Sequence, residues 1–286
     1  MSVYNDLFFQ PALGPLLYLA QHTRGARLGP AALNPNTVHP VEIAGQIALL
    51  DSATGGRAYL GLARGTWLEA IGLRTDRPIA RLRETIEVVR YLLKGHTHGY
   101  AGEIFAIAPG GQLHYQRIRD EVPIVVGTWG ERTARALSPL VDEIKVGGTA
   151  NPRMAERMRQ WVPSTTGVCV GAVTVVDRDR AAARALARRE VAMYIAVVAE
   201  LDVTLADPEW VERIRGHGHD YAGISNDISD AMLDRFAFAG SPDDIARQVH
   251  DLRAAGATRV EFGTPHGLDA EMGIRLLGSE VLPGLK

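Results

Sequence analysis

Ser52-Ala53-Thr54-Gly55-Gly56-Arg57-Ala58-Tyr59-Leu60-Gly61-Leu62-Ala63-Arg64-Gly65 is the stretch whose reading decides the fold. A glycine pair stops the helix that precedes it. The apolar run that follows reads as a buried strand, because it lacks the polar alternation of a half-solvated one. Arg64-Gly65 opens a loop, and the chain from Thr66 can start another helix. Helix, turn, buried strand and loop make one step of an α/β fold, in which ligands bind at the loops after the strands' carboxyl ends.

The same step recurs on both sides. Upstream, residues 3–6 read as a strand end, 11–23 as a helix, 26–33 as a short buried strand and 41–51 as a helix behind Pro40. Downstream, Ile79, Leu82, Ile86, Val89 and Leu93 share one helical face, with Gly95 as the stop. Residues 96–107 alternate about Ala101-Gly102, which predicts a small hairpin. Buried strands follow at 123–127, 143–147, 168–176 and 259–263, separated by helices at 130–140, 152–161 and from Asp177 or Asp179 to about 200. Further helices are expected at 207–219 and 227–236, then from Ser241-Pro242-Asp243-Asp244 to Gly256, and at 269–281. Strands near residues 3, 26, 57, 123, 142, 168 and 259 make seven, one short of a (β/α)8 barrel.

Composition narrows the class. The chain has 286 residues, 46% hydrophobic and 22% charged, with a formal net charge of -2. That suits a soluble α/β domain and gives no electrostatic reason to expect nucleic acid or membrane as partner. Cys169 is the only cysteine, so no disulfide can form within the chain, and a cytoplasmic setting is expected. No linker marks a second domain, so residues 1–286 read as one.

Several loops carry residues suited to ligand chemistry. Gly263-Thr264 begin a Gly/Pro turn before a helix, where backbone N–H groups and the Thr264 hydroxyl could hold a phosphate. Gly127-Thr128-Trp129-Gly130 follow a strand, and glycine lets a ligand approach the backbone closely. Arg64, Gly65 and Thr66 follow the opening strand, and a guanidinium there can pair with phosphate or carboxylate. His96-x-His98 and His217-x-His219 lack third and fourth ligands, so no metal is expected.

Thr54-Gly55-Gly56-Arg57, Leu60-Gly61-Leu62, Arg64-Gly65 and Ile71-Gly72 resemble the strand-four signature of the bacterial-luciferase-like superfamily. Leu28-Gly29-Pro30 with Asn34 and His39-Pro40 resembles its strand-three segment, and Val122 to Gly130 its strand-five segment. Phe238-Ala239-Gly240-Ser241-Pro242-Asp243-Asp244 and Phe262-Gly263-Thr264-Pro265 resemble its C-terminal segment. The pattern is most similar to the coenzyme F420-dependent branch typified by methylenetetrahydromethanopterin reductase.

The resemblance implies a TIM (β/α)8-type barrel that lacks its first βα unit, with a helical insertion near 201–236. It implies a luciferase-like oxidoreductase passing a hydride between F420 and a small organic substrate. An FMN-dependent monooxygenase and an impaired cofactor-binding member are the alternatives. It implies a non-proline cis peptide at Ala31-Ala32 against the cofactor ring, Asn34 at the ring's polar edge, and cofactor contacts at Arg64, Gly65, Thr66, Gly127, Thr128, Trp129, Gly130, Gly147, Gly263 and Thr264. Asp6 matches the strand-two aspartate. Leu7 stands where related enzymes often carry histidine, which leaves Asp6 and Glu69 as candidate acid/base residues. A homodimer is expected, in keeping with the family.

Overall fold

The computed structural model describes residues 1–285. They form two compact units: Met1–Thr128 with Arg135–Ile144, and Trp129–Ala134 with Lys145 onward.

The first unit runs β1 (Ser2–Tyr4), α1 (Leu13–His22), β2 (Gly29–Ala31), α2 (Pro40–Thr54), β3 (Leu60–Ala63), α3 (Pro78–Leu93), β4 (Tyr100–Ala101), β5 (Ala106–Ile107) and β6 (Ile124–Gly127). β1 lies parallel to β2 with Tyr4 opposite Ala31, and β3 parallel to β6 with Ala63 opposite Gly127. Parallel bridges at Leu28–Ala58 and Leu33–Leu62 join the ends of β2 to the β3 segment. Four consecutive parallel strands therefore end side by side. β4 and β5 form the expected antiparallel hairpin. The buried Glu84 carboxylate fastens it to α3 by accepting from the N–H groups of Glu103, Ile104 and Phe105, each at 2.9 Å.

The opening stretch folds as its composition dictates. Gly55 and Gly56 take φ of +63° and +86°, a left-handed turn open to glycine at no steric cost. Gly56 N–H closes the turn on the Asp51 carbonyl at 2.9 Å. Arg57 donates to the carbonyls of Thr23, Ala26 and Thr54 at 2.8, 2.5 and 2.7 Å, and so ties the amino end of β3 to the turn after α1. Asp51, buried, receives a two-pronged ion pair from Arg119, with Nε–Oδ2 at 2.8 Å and Nη2–Oδ1 at 2.6 Å. A Cβ on Gly61 would stand 2.1 Å from the Pro30 carbonyl oxygen, so only glycine lets β2 and β3 come this close.

In the second unit lie the start of α4 (Glu131–Leu137), the latter half of β7 (Glu143–Gly147), α5 (Pro152–Trp161) and β8 (Gly167–Val176). Then come α6 (Arg180–Ala192), α7 (Ile195–Leu201), α8 (Pro208–Gly216), α9 (Tyr221–Asp227), α10 (Asp230–Phe236), β9 (Ala237–Gly240), α11 (Pro242–Ala254), β10 (Arg259–His266) and α12 (Ala270–Leu276). β10 and β9 both run parallel to β8; Val173 pairs with Gly263 of one and Ala237 of the other, so they occupy opposite edges. The helices of residues 180–236 pack on β8 around Ile195, Trp210, Ile214 and Phe236, all fully or nearly fully buried.

Three expectations change. Residues 237–240 form a strand where none was read, because four residues carry too little periodicity to declare one. The helix expected to reach residue 200 breaks at Met193-Tyr194, where the Tyr194 N–H closes a tighter turn on the Val191 carbonyl at 3.0 Å and the Tyr194 hydroxyl donates to the Phe236 carbonyl at 3.1 Å. The last strand continues to His266 across an irregularity and a cis Thr264–Pro265 bond.

Candidate functional site

In the first unit, the sequence candidates gather at the carboxyl ends of the four adjacent strands. Asp6 lies two residues beyond β1. Ala31 ends β2, Ala32 follows it, and the bond between them is cis. Arg64, Gly65 and Thr66 follow β3, while Gly127 ends β6 and Thr128 follows it.

Asn34 organises the loop after β2. It is 4% exposed, and its Oδ1 accepts from Asn36 N, Thr37 N and Thr37 Oγ1 at 3.2, 3.1 and 3.1 Å. Its Nδ2 has no acceptor among the described residues. A Cβ on Gly65, where φ is +95°, would lie 2.9 Å from the Asn34 side chain. Gly65 thus fits against the Asn34 amide because it has no side chain. Asn36, which sequence reading passed over, donates from Nδ2 to the Arg64 carbonyl at 2.7 Å and couples the two loops. The Arg64 guanidinium itself is exposed and makes no ion pair with any described residue.

Asp6 is half-buried, and its carboxylate has no hydrogen-bonding partner among the described residues. Burial raises its pKa above the ordinary 3.8. A carboxyl group with a raised pKa and no internal partner is equipped to hold or release a proton. Glu69 sits exposed on a short 3-10 turn, Leu68–Ile71. No contact joins it to Asp6.

In the second unit, the Trp129 indole Nε1 donates to the Gly147 carbonyl at 3.0 Å. Gly130 immediately precedes α4. Gly263 and Thr264 lie within β10, not in a turn at a helix start. The following helix is capped by Asp269, whose side chain accepts from Met272 N at 2.8 Å. That corrects the reading of Thr264 as part of a phosphate site at a helix N-terminus: the cap is five residues farther on and already carries a carboxylate.

Nearer the amino ends of these strands lies an ion triad. Glu261 of β10 pairs with Lys145 of β7 and Arg259 of β10. Burial favours the neutral acid, but Lys145 and then Arg259 outweigh it and hold the Glu261 pKa near 2. β8 places Gly171 opposite Glu261, where a Cβ would stand 3.2 Å from the Glu261 Cβ and 3.6 Å from the Lys145 Cε. Glycine at the middle strand leaves room for the pair to meet over it. Gly263 lies two residues beyond Glu261, on the same strand face.

A match to the luciferase-like monooxygenase family spans residues 5–259. The chain belongs to the luciferase-like family. Among curated relatives, 5,10-methylenetetrahydromethanopterin reductase of Archaeoglobus fulgidus is 31% identical over 292 residues, covering 95% of this chain and 86% of the relative. The enzyme of the same name from Methanopyrus kandleri is 28% identical and covers 99% and 88%. The solved structure of the coenzyme F420-dependent tetrahydromethanopterin reductase from Methanopyrus kandleri superposes with a TM-score of 0.89 at 25% identity, over 100% of this chain and 90% of that one. An F420-dependent secondary alcohol dehydrogenase shares the luciferase-like fold at a TM-score of 0.77 and 18% identity. The oxygenating constituent of a 3,6-diketocamphane monooxygenase from Pseudomonas putida, solved in complex with FMN, shares the fold at a TM-score of 0.68 and 17% identity.

Proposed function

We propose that this protein is an F420-dependent oxidoreductase that moves a hydride between the deazaflavin and a small organic substrate. The observation that carries the reading is the row of strand ends in the first unit. Within it, the Ala31–Ala32 backbone, the free Asn34 Nδ2, the bare Gly65 and the unpaired Arg64 guanidinium stand together. The curated relatives named as reductases of this type support it.

These residues fit a flat, polar-edged, acidic cofactor. Small alanines and glycines let a ring lie against backbone. Asn34 Nδ2 offers a donor that no described residue accepts from, at the end of β2. Arg64 offers a fork for phosphate or carboxylate. On this reading Gly127 and Thr128 are further contacts within the first unit, and Thr66 a neighbour of the tail. Deazaflavin supplies the hydride chemistry when bound. Asp6 holds or gives the proton that accompanies the transfer, with its burial-raised pKa suited to that task. Glu69 serves only if its exposed turn closes toward the substrate.

The test adds F420 and FMN separately to the purified protein and follows fluorescence. Quenching by F420 supports the proposal. Binding of FMN alone assigns a flavin monooxygenase instead, and binding of neither overturns both readings. Arg64→Ala should raise the F420 dissociation constant about tenfold, the scale of one charge-assisted pair.

A further inference from the structure

Two aromatic side chains stand at the same end of the first unit without a role in cofactor contact. Phe9 follows β1 and Trp67 follows β3. Their rings meet at 6.1 Å with a 33° tilt, yet they remain 61% and 42% exposed. β1 and the β3 segment flank β2, so the two loops that bring these rings together leave the strands on either side of the one that ends at Ala31. Trp67 is held at φ +53° and ψ +23°, a left-handed conformation unfavourable for a bulky residue. Core burial does not explain that conformation, because Trp67 lies outside the buried core. Strained backbone of this kind concentrates where a side chain must be presented to a ligand. The Phe9 N–H donates to the Asp6 carbonyl at 2.9 Å, so the same short loop sets both the aromatic ring and the candidate proton carrier.

We propose that Phe9 and Trp67 form the substrate-binding wall of this site and select molecules that present a flat π-system to it. The proposal rests on the F420 reading for what happens to the bound molecule, but not for the binding itself. Rings offset or tilted against such a pair gain attraction beyond area burial.

Acetophenone and cyclohexyl methyl ketone share a carbonyl and differ in whether the ring is aromatic. Their dissociation constants are measured by saturation-transfer NMR, with and without saturating F420. The aromatic ketone should bind about two- to tenfold more tightly to the wild type. The ratio should fall to about one in Phe9→Leu and Trp67→Leu, and persist in Phe9→Tyr and Trp67→Phe. Trp67→Gly should lose the preference while keeping or raising Tm, since glycine tolerates the left-handed backbone; this separates a ligand role from a folding role. A ratio near one in the wild type overturns the proposal, as does an unchanged ratio in both leucine variants. So does a dimer in sedimentation that the leucine variants dissociate, because the pair would then belong to an interface between copies. Wild-type protein that fails to quench F420 defeats the cofactor reading alone; the ketone ratio without F420 still decides the aromatic pair.

Discussion

The indole of Trp129 holds the carbonyl of Gly147 by a 3.0 Å hydrogen bond, so two residues singled out separately by sequence are one mechanical element. The ring packs against the helical cluster around Trp210 and Phe236, and its N–H fixes the end of β7. Trp129→Phe keeps the ring and removes the donor. The lost bond is internal to the protein, so stability should fall by about 1 kcal/mol, the scale of one net hydrogen bond. Urea unfolding of the variant checks this.

Gly61→Ala should damage both fold and binding. The added Cβ meets backbone, the Pro30 carbonyl oxygen at 2.1 Å, and cannot be relieved by a rotamer change. β2 must shift away from β3, and the strand end that carries Ala31 moves with it. A loss of more than about 2 kcal/mol in urea unfolding is expected, as for other overpacked sites. Unaltered stability and F420 binding would show that β2 can relax without consequence.

Asp51 is 2% exposed and faces Arg119, so Asp51→Ala leaves a guanidinium without its buried partner and the Ala58 N–H without its acceptor. Breaking one side of such a pair typically costs about 3–5 kcal/mol. Arg119→Leu together with Asp51→Leu should recover part of the loss. Denaturant midpoints of the single and double variants test the comparison.

Glu261 and Asp6, shifted in opposite directions, predict opposite pH responses. The Glu261 pKa drops from 4.5 unfolded to about 2 folded. Its contribution is complete above pH 4.5 and disappears as pH falls toward 2, amounting to about 3 kcal/mol by linkage. Glu261→Gln should therefore flatten acid unfolding in that window. Asp6 is raised above 3.8 by burial, so its charge costs stability at pH values above that. Asp6→Asn should be the more stable protein at neutral pH, with the difference vanishing in acid. If Asp6 carries the proton, the same variant loses turnover. Unfolding and rate measurements across pH separate the two effects.

Local signals were strong where one residue type answers one geometric demand. Gly55-Gly56, the amphipathic 79–94 segment and the Ser241-Pro242-Asp243-Asp244 start could be read directly, and the last forms a capping box in which Ser241 and Asp244 bond reciprocally. Ala237–Gly240 could not, because a four-residue strand is defined by its pairing with Val173–Val176 and not by a pattern of its own. The reach of β10 to His266 was hidden for a similar reason: Gly-Thr-Pro reads locally as a turn, and only pairing of His266 with Val175 continues the strand. Asn36 and the Phe9–Trp67 contact depend on loops far apart in sequence, and no spacing rule announces them.

From its sequence alone, the chain determined an alternation of buried strands and helices, a parallel arrangement, and the loops that bear glycine, arginine and asparagine. Those follow from period, breakers and caps, which act within a few residues. Only tertiary structure decided that Gly61 lies under Pro30, that Gly65 rests on Asn34, that Lys145 crosses Gly171 to Glu261, and that Trp129 holds Gly147. Each of these depends on how closely segments distant in sequence approach, and that distance is set by side chains present or missing on both partners at once.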